Sequence, residues 1–469
     1  MSRSPKVIVI GGGIAGTAAA WRAAALGANV TLISRGAGAS ALSSGALDHA
    51  PWEDLVRASR ALGVEPSCRD VGEGVEAFAK SLGIWGLPPV GAPFVRLATL
   101  AGRTRPARGR DASLLDLSAL PPGIVAVPRV DRAAWDADAL ARFWNDDPFA
   151  RSRGLHFKAI DASLLRFDGE HRIGDADLSA RHDDPARVAW LAERLRDAFA
   201  REKIAPVAVL VGPWLGMESP RAEALSERLG LPAGEALSGA GSPAGLRFTH
   251  AAKRLLSKAN VRVVPHRVKA IEPPDVASEH ASSPAGEPAN PRPGENASLR
   301  SGESAGLRAP ESGRIPESAR LAEQRATILL EGADPIRADR IVLACGGLAG
   351  GGLVYDPPDT HAGADMPPRK GPAFRFSFEI EANESGRPYL QIAGDRAAQP
   401  SSMFGAALDL TAWPTAGQTG SLESVGVAVS EEGLAASYLA AAGDIVAARP
   451  RTALTAVESA LRAAEIVAG

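Results

Sequence analysis

At 469 residues the chain is too long for one ordinary core, and at roughly 100–200 residues per domain it should fold as two or three lobes. With 45% hydrophobic residues and a formal net charge of -2 it has the make-up of a soluble globular protein. It lacks the basic excess that would suit nucleic acid or an anionic membrane surface. Cys68 and Cys345 are its only cysteines and stand far apart, which argues against a disulfide framework, a zinc site or a redox dithiol and suits a reducing, cytoplasmic setting.

In chain order, Lys6-Val7-Ile8-Val9-Ile10 is a continuous apolar run ending in glycines, as expected of a strand buried on both faces of a parallel sheet. Residues 14–27 follow as an alanine-rich helix closing at Gly27, and Asn29-Val30-Thr31-Leu32-Ile33 forms the next strand. Together they make a βαβ unit. Between about 75 and 200 the pattern is mixed, with breaks at Gly86-Leu87-Pro88-Pro89 and Pro121-Pro122-Gly123, and reads as an inserted α+β cap. A helix is expected over 247–258, then strands at Val261–Val264 and Val268–Ile271. From Pro273 to Glu323 the chain is dominated by Pro, Ser, Ala, Glu and Gly, and reads as a disordered insertion at the tip of a hairpin. Strands are expected again at Ala326–Leu330, Arg340–Ala344 and Ser424–Val429, then a run Tyr438–Ala442 and a last helix over 451–467.

The resulting fold class is α/β, a discontinuous Rossmann-type FAD/NAD(P)-binding domain with an inserted cap. Its dinucleotide-binding parts are 1–70, 241–272, 324–358 and 419–469; the cap takes 71–240 and 359–418, and the insertion 273–323. No segment approaches the roughly 18 apolar residues of a membrane span, and no leader is expected before the first strand.

Three segments carry the chemistry. Gly11-Gly12-Gly13-Ile14-Ala15-Gly16 lies between a strand and a helix. Its glycines allow a tight turn and close approach to a pyrophosphate, which the helix N-terminus attracts. The acid expected at the end of the second strand to bind a ribose hydroxyl is replaced by Ser34-Arg35, and Arg35 would suit the 2′-phosphate of NADP. Ala344-Cys345-Gly346-Gly347 resembles the turn by which two-dinucleotide flavoproteins re-enter the FAD domain, and Gly443-Asp444 resembles their C-terminal A-G-D segment. By that resemblance Asp444 accepts from the ribityl chain, and the helix start at Thr452-Ala453 faces the flavin pyrimidine edge, where a positive dipole would favour reduced flavin. The loop Ser40-Ala41-Leu42-Ser43-Ser44-Gly45-Ala46-Leu47-Asp48 offers hydroxyls and backbone N–H groups, Ser43, Ser44 and Gly45 foremost, to the same cofactor. A packing turn, an ordinary buried strand and polar surface loops are the respective alternatives.

Ile33-Ser34-Arg35-Gly36 followed by Ser43-Ser44-Gly45-Ala46-Leu47-Asp48 resembles the B subunit of the anaerobic glycerol-3-phosphate dehydrogenase, as do Thr99–Gly102, Pro243–Arg247 and Gly351–Val354. The resemblance implies a flavin, FAD with FMN as the alternative, that passes electrons from glycerol 3-phosphate to a membrane quinone. It also implies a catalytic A subunit and an iron–sulfur C subunit as partners, and membrane association only through them. The C-terminal segment departs from that family's glycine-rich ending. Flavin chemistry needs no protein nucleophile, so no catalytic residue is assigned and no metal is expected. His49 and His361 could face a flavin, and the run Arg103, Arg105, Arg108 and Arg110 could meet a substrate phosphate or a partner subunit, but surface positions are the expectation for all of them.

Overall fold

The computed structural model describes residues 4–48, 72–89, 91–239, 241–274, 325–356, 373–380, 392–393, 426–427, 429–430, 433–447 and 451–469. The expected insertion, apart from its first two residues, lies outside these ranges, as do His49, His361 and nearly all of 359–418.

The first lobe is built on a six-stranded sheet whose spatial order runs Arg262–Val264, Asn29–Ile33, Lys6–Ile10, Arg340–Leu343, Leu439–Ala441, Leu434–Ala436. The first five strands are parallel and the last is antiparallel. Side chains alternate across a strand, and here the alternation sorts them into two separate cores. Val7, Val9, Val30, Leu32, Val342 and Ala440 face a helical layer. Ile8, Ile10, Ile33, Ile341, Leu343 and Leu439 face the other side. The helical layer holds Ile14–Ala25, Glu73–Leu82, Pro243–Lys258 and Ala453–Ala468. Its first helix buries mainly alanines, which lets it lie close to the sheet. The other side is covered by a four-stranded sheet in which Val268–Glu272, Ala326–Leu330 and Ala333–Ala338 run antiparallel and Glu379–Ile380 pairs parallel to the first, so the two strands flanking the insertion pair as hairpin arms.

The second lobe also has a parallel sheet, in the order Ala233–Glu235, Ala208–Val211, Gly123–Arg129, Leu155–Asp161. The α/β class therefore extends to the cap, which is more regular than the α+β lobe its mixed pattern suggested. Helices Ala137–Asp146 and Pro185–Glu202 make the crossovers that parallel strands require. Numbered along the chain, the strands lie 2-1-3-4, an order of doubly wound sheets. The outer strand Leu155–Asp161 buries Leu155, Phe157 and Ile160 and exposes His156 and Asp161. Its edge is closed by Asn145, whose side-chain amide bonds both the N–H and the C=O of Phe157, and by Glu202, which accepts from the Asp161 N–H.

Candidate functional site

The glycine turn sits at the carboxyl ends of the parallel strands. Gly11 has φ +116°, and a side chain there would run into the Ala344 carbonyl. One on Gly16 would run into the Gly11 carbonyl. These two positions are closed by backbone and admit only glycine. At Gly12 and Gly13 hydroxyls take part: a Cβ on Gly12 would meet the Ser34 hydroxyl and the Gly36 carbonyl, and one on Gly13 would lie 3.0 Å from the Ser40 hydroxyl. Together they leave a shallow cradle beside a helix start that has no side-chain N-cap of its own. The Ile14 N–H donates to Ser40 Oγ at 2.9 Å, so one hydroxyl stands where an anion would be drawn.

The Gly347 and Gly443 segments reach the same end of the sheet. Gly443, at φ +73°, would bring a Cβ to 2.6 Å from that of Ala15, and its N–H donates to Ser459 Oγ at 3.0 Å. A Cβ on Gly347 would lie 2.7 Å from the Asp444 carbonyl and 3.4 Å from the Arg451 guanidinium carbon. Residues 11–16, 344–347 and 443–444, distant in sequence, are thus in contact. Burial pushes the Cys345 thiol up to about 12, which keeps it protonated and unsuited to act as a nucleophile. At the end of the second strand Ser34 is occupied locally, donating to the Gly36 carbonyl at 2.5 Å, and Arg35 is exposed.

The serine loop serves architecture as much as binding. Ser43 Oγ accepts from the Gly45 N–H at 3.2 Å, and the Ser43 carbonyl accepts from Ser242 Oγ at 3.1 Å; Ser44 is half-buried. Gly45, at φ +94°, packs where a Cβ would press on Asp111 and Ala244. The loop ends in Asp48, only 2% exposed and at φ 51°. Its carboxylate accepts from the Leu454 N–H at 3.1 Å and pairs with Arg108 at 3.2 Å. Burial raises the Asp48 pKa, while Arg108 and the helix N–H groups oppose that rise. Thr452 Oγ1 accepts from the Thr455 N–H at 3.2 Å. The start of the last helix, whose positive end at Thr452 and Ala453 is expected to face the flavin pyrimidine edge, has its Leu454 and Thr455 N–H groups taken by Asp48 and Thr452.

Arg247 fastens the two lobes together. It belongs to the helix Pro243–Lys258 and is fully buried, donating to Asp111 at 3.1 Å, to Glu235 at 2.7 Å and to the Gly216 carbonyl at 2.5 Å. Burial raises the Glu235 pKa and Arg247 opposes it. Ser40, Asp111 and Glu235 were not singled out from the sequence. Only Ser40 left a trace there, as the first residue of the serine loop. Among the described residues no group of three or more His, Cys, Asp or Glu could hold a metal, and no helix is long and apolar enough to cross a membrane.

The open glycine cradle, the helix start and the converging strand ends fit the pyrophosphate of a dinucleotide, with Gly12, Gly13, Ile14 and Ser40 placed to hold it. Fold and glycine turn together define a Rossmann-type dinucleotide-binding fold. Residues 6–165 match the family model of FAD dependent oxidoreductases, DAO. The match runs from the glycine turn into the cap strands, and FAD is the cofactor it indicates. No curated protein matches the chain. Similar solved structures include the 3-ketosteroid delta1-dehydrogenase of Sterolibacterium denitrificans, 13% identical, covering 74% of this chain and 48% of that one, TM-score 0.26. Glycine oxidase from Geobacillus kaustophilus is 13% identical over 74% and 57%, TM-score 0.21. Iminodiacetate oxidase from Chelativorans sp. BNC1 is 14% identical over 99% and 94%, TM-score 0.25. This chain spans about half the length of the first two.

Proposed function

We propose that the protein is a flavin dehydrogenase for a small hydroxy substrate, of which glycerol 3-phosphate is the candidate, and that it hands electrons to a partner iron–sulfur protein and thence to quinone. The observation that carries this reading is the position of the Ser43–Asp48 loop. The stretch that resembles the anaerobic glycerol-3-phosphate dehydrogenase is also the one that joins the glycine-turn lobe, the C-terminal helix and the cap through Asp48 and Arg108. When bound, FAD supplies the hydride acceptor. Gly12, Gly13, Ile14 and Ser40 would hold its pyrophosphate, and Asp48 and Arg108 would fix the lobe seam beside it. A catalytic A subunit, an iron–sulfur C subunit on the membrane and a cytoplasmic, peripheral location belong to the same proposal.

Anaerobic mixing of the FAD-loaded chain with glycerol 3-phosphate tests it, with bleaching of the flavin's visible absorbance as the expected result. If neither glycerol 3-phosphate nor any other small polyol bleaches it, the chain is a non-catalytic flavin-carrying assembly protein. Closure of the last helix's start by Asp48 and Thr452 favours that second reading, because it removes one device for tuning a reduced flavin.

A further inference from the structure

Of the four arginines in the run 103–110, three are accounted for by position or partner. Arg103 is exposed, Arg108 pairs with Asp48, and Arg110 donates to the carbonyls of Asp111, Ala112 and Leu114. Arg105 is not. It lies on the hairpin Val95–Ala98/Thr104–Ala107 opposite Leu97. Directly paired residues share a sheet face, so its side chain leaves on the face that carries Val95, Leu97 and Ala107. That face packs on Ala46 of the serine loop and on Leu114 and Leu237. Arg105 is half-buried overall, but its Nη2 is shut off from solvent and has no hydrogen-bond partner among the described residues. Burial lowers its pKa and no carboxylate compensates. A desolvated, uncompensated guanidinium is costly, and its five donors match an oxyanion.

We propose that Arg105 receives an oxyanion of the substrate at the seam between the serine loop and the cap. The glycerol 3-phosphate reading makes that oxyanion the phosphate, and to this extent the site rests on that reading.

The test uses the full FAD-loaded chain and follows its melting temperature against inorganic phosphate, acetate or chloride at constant ionic strength. Wild type is expected to be stabilised by phosphate. Arg105→Met should weaken the apparent phosphate affinity by about tenfold or more and melt no lower than wild type without phosphate, because the uncompensated charge is gone. Arg105→Lys should retain part of the response. In turnover, Arg105→Met should raise KM for glycerol 3-phosphate and leave kcat nearly unchanged. A response to acetate alone keeps the oxyanion site and removes glycerol 3-phosphate. Phosphate binding through Arg105 without flavin bleaching overturns the substrate and leaves the site. A phosphate response unchanged in Arg105→Met, or absent from wild type, overturns the site, as does bleaching with an unchanged KM.

Discussion

The molecule contains two parallel α/β sheets, and they treat the carboxyl ends of their strands in opposite ways. In the cap, helices Ala137–Asp146, Pro148–Ser152 and Pro185–Glu202 each begin on an aspartate, Asp136, Asp147 or Asp184, whose carboxylate accepts from the helix's own first N–H groups. The crevice of that sheet is filled by protein charge. Arg132 binds Asp175 at 2.6 Å and the Glu170 and Ile173 carbonyls, and lies over the Trp214 ring. Glu170 in turn pairs with Arg187 at 2.5 Å and Arg181 at 3.0 Å. In the first lobe the helix after the glycine turn starts on Gly13 with no side-chain cap of its own. Three cap helices are thus capped internally, although Asp175–Arg181 and Ala222–Leu229 start on Gly174 and Arg221 without a side-chain cap; the first lobe's helix start lies beside the glycine turn and is left for a ligand. A doubly wound topology is thus not enough to make a nucleotide site; an uncapped helix start must also meet a glycine turn.

The largest expected effect breaks the join between the two lobes. Arg247→Met strands the buried carboxylates of Asp111 and Glu235, and should cost about 3–5 kcal/mol in denaturant unfolding. Loss of cooperativity between cap and first lobe should accompany it.

A somewhat smaller effect distinguishes the closed crevice by its acid sensitivity. His182 is buried, its Nδ1 lies 3.0 Å from the Leu178 carbonyl, and burial first and the Arg187 cation second lower its pKa to about 4. Its unfolded value is near 6.5, so between those two values the unfolded chain binds the extra proton and stability rises with pH. This contribution is complete above 6.5 and lost as pH falls toward 4, about 3 kcal/mol in all. His182→Gln should flatten the stability profile in that window; an unchanged slope would show that His182 does not set it.

The smallest effect concerns the open helix start. Ser40→Ala frees the Ile14 N–H, and should lower the stability of the FAD-free chain by about 1 kcal/mol. FAD affinity, measured by titrating the deflavinated protein, should change only a few-fold, since one hydroxyl among several donors is lost.

Much of the first lobe was legible because its signals are local. An apolar run buried on both faces marks Lys6–Ile10, and the carbonyls of Ala344 and Gly11 leave no room for a Cβ at Gly11 and Gly16. The cap sheet was harder to read. Its outer strand Leu155–Asp161 mixes exposed His156 and Asp161 with buried Phe157, and Pro128 interrupts the apolar run Gly123–Arg129. The site's long-range pairs left no periodic trace at all. Asp48 reaches Leu454 across 406 positions and Arg247 reaches Asp111 across 136. For that reason nothing local to Thr452 and Ala453 shows that the fold brings the start of the last helix a carboxylate.

Gly13→Asp tests the central contrast most directly, because it gives the first lobe's helix the start that three of the cap's helices have. Gly13 has φ -75° and ψ -168°, which any residue adopts, and its Cβ needs only a small shift of Ser40. Mass spectrometry of cofactor released from the purified variant and from wild type reads the outcome. Wild type should release FAD, and the variant should be folded, at least as thermally stable in the FAD-free form, and without FAD. A folded variant that still carries FAD at wild-type occupancy would contradict the assignment of this helix start as the pyrophosphate site.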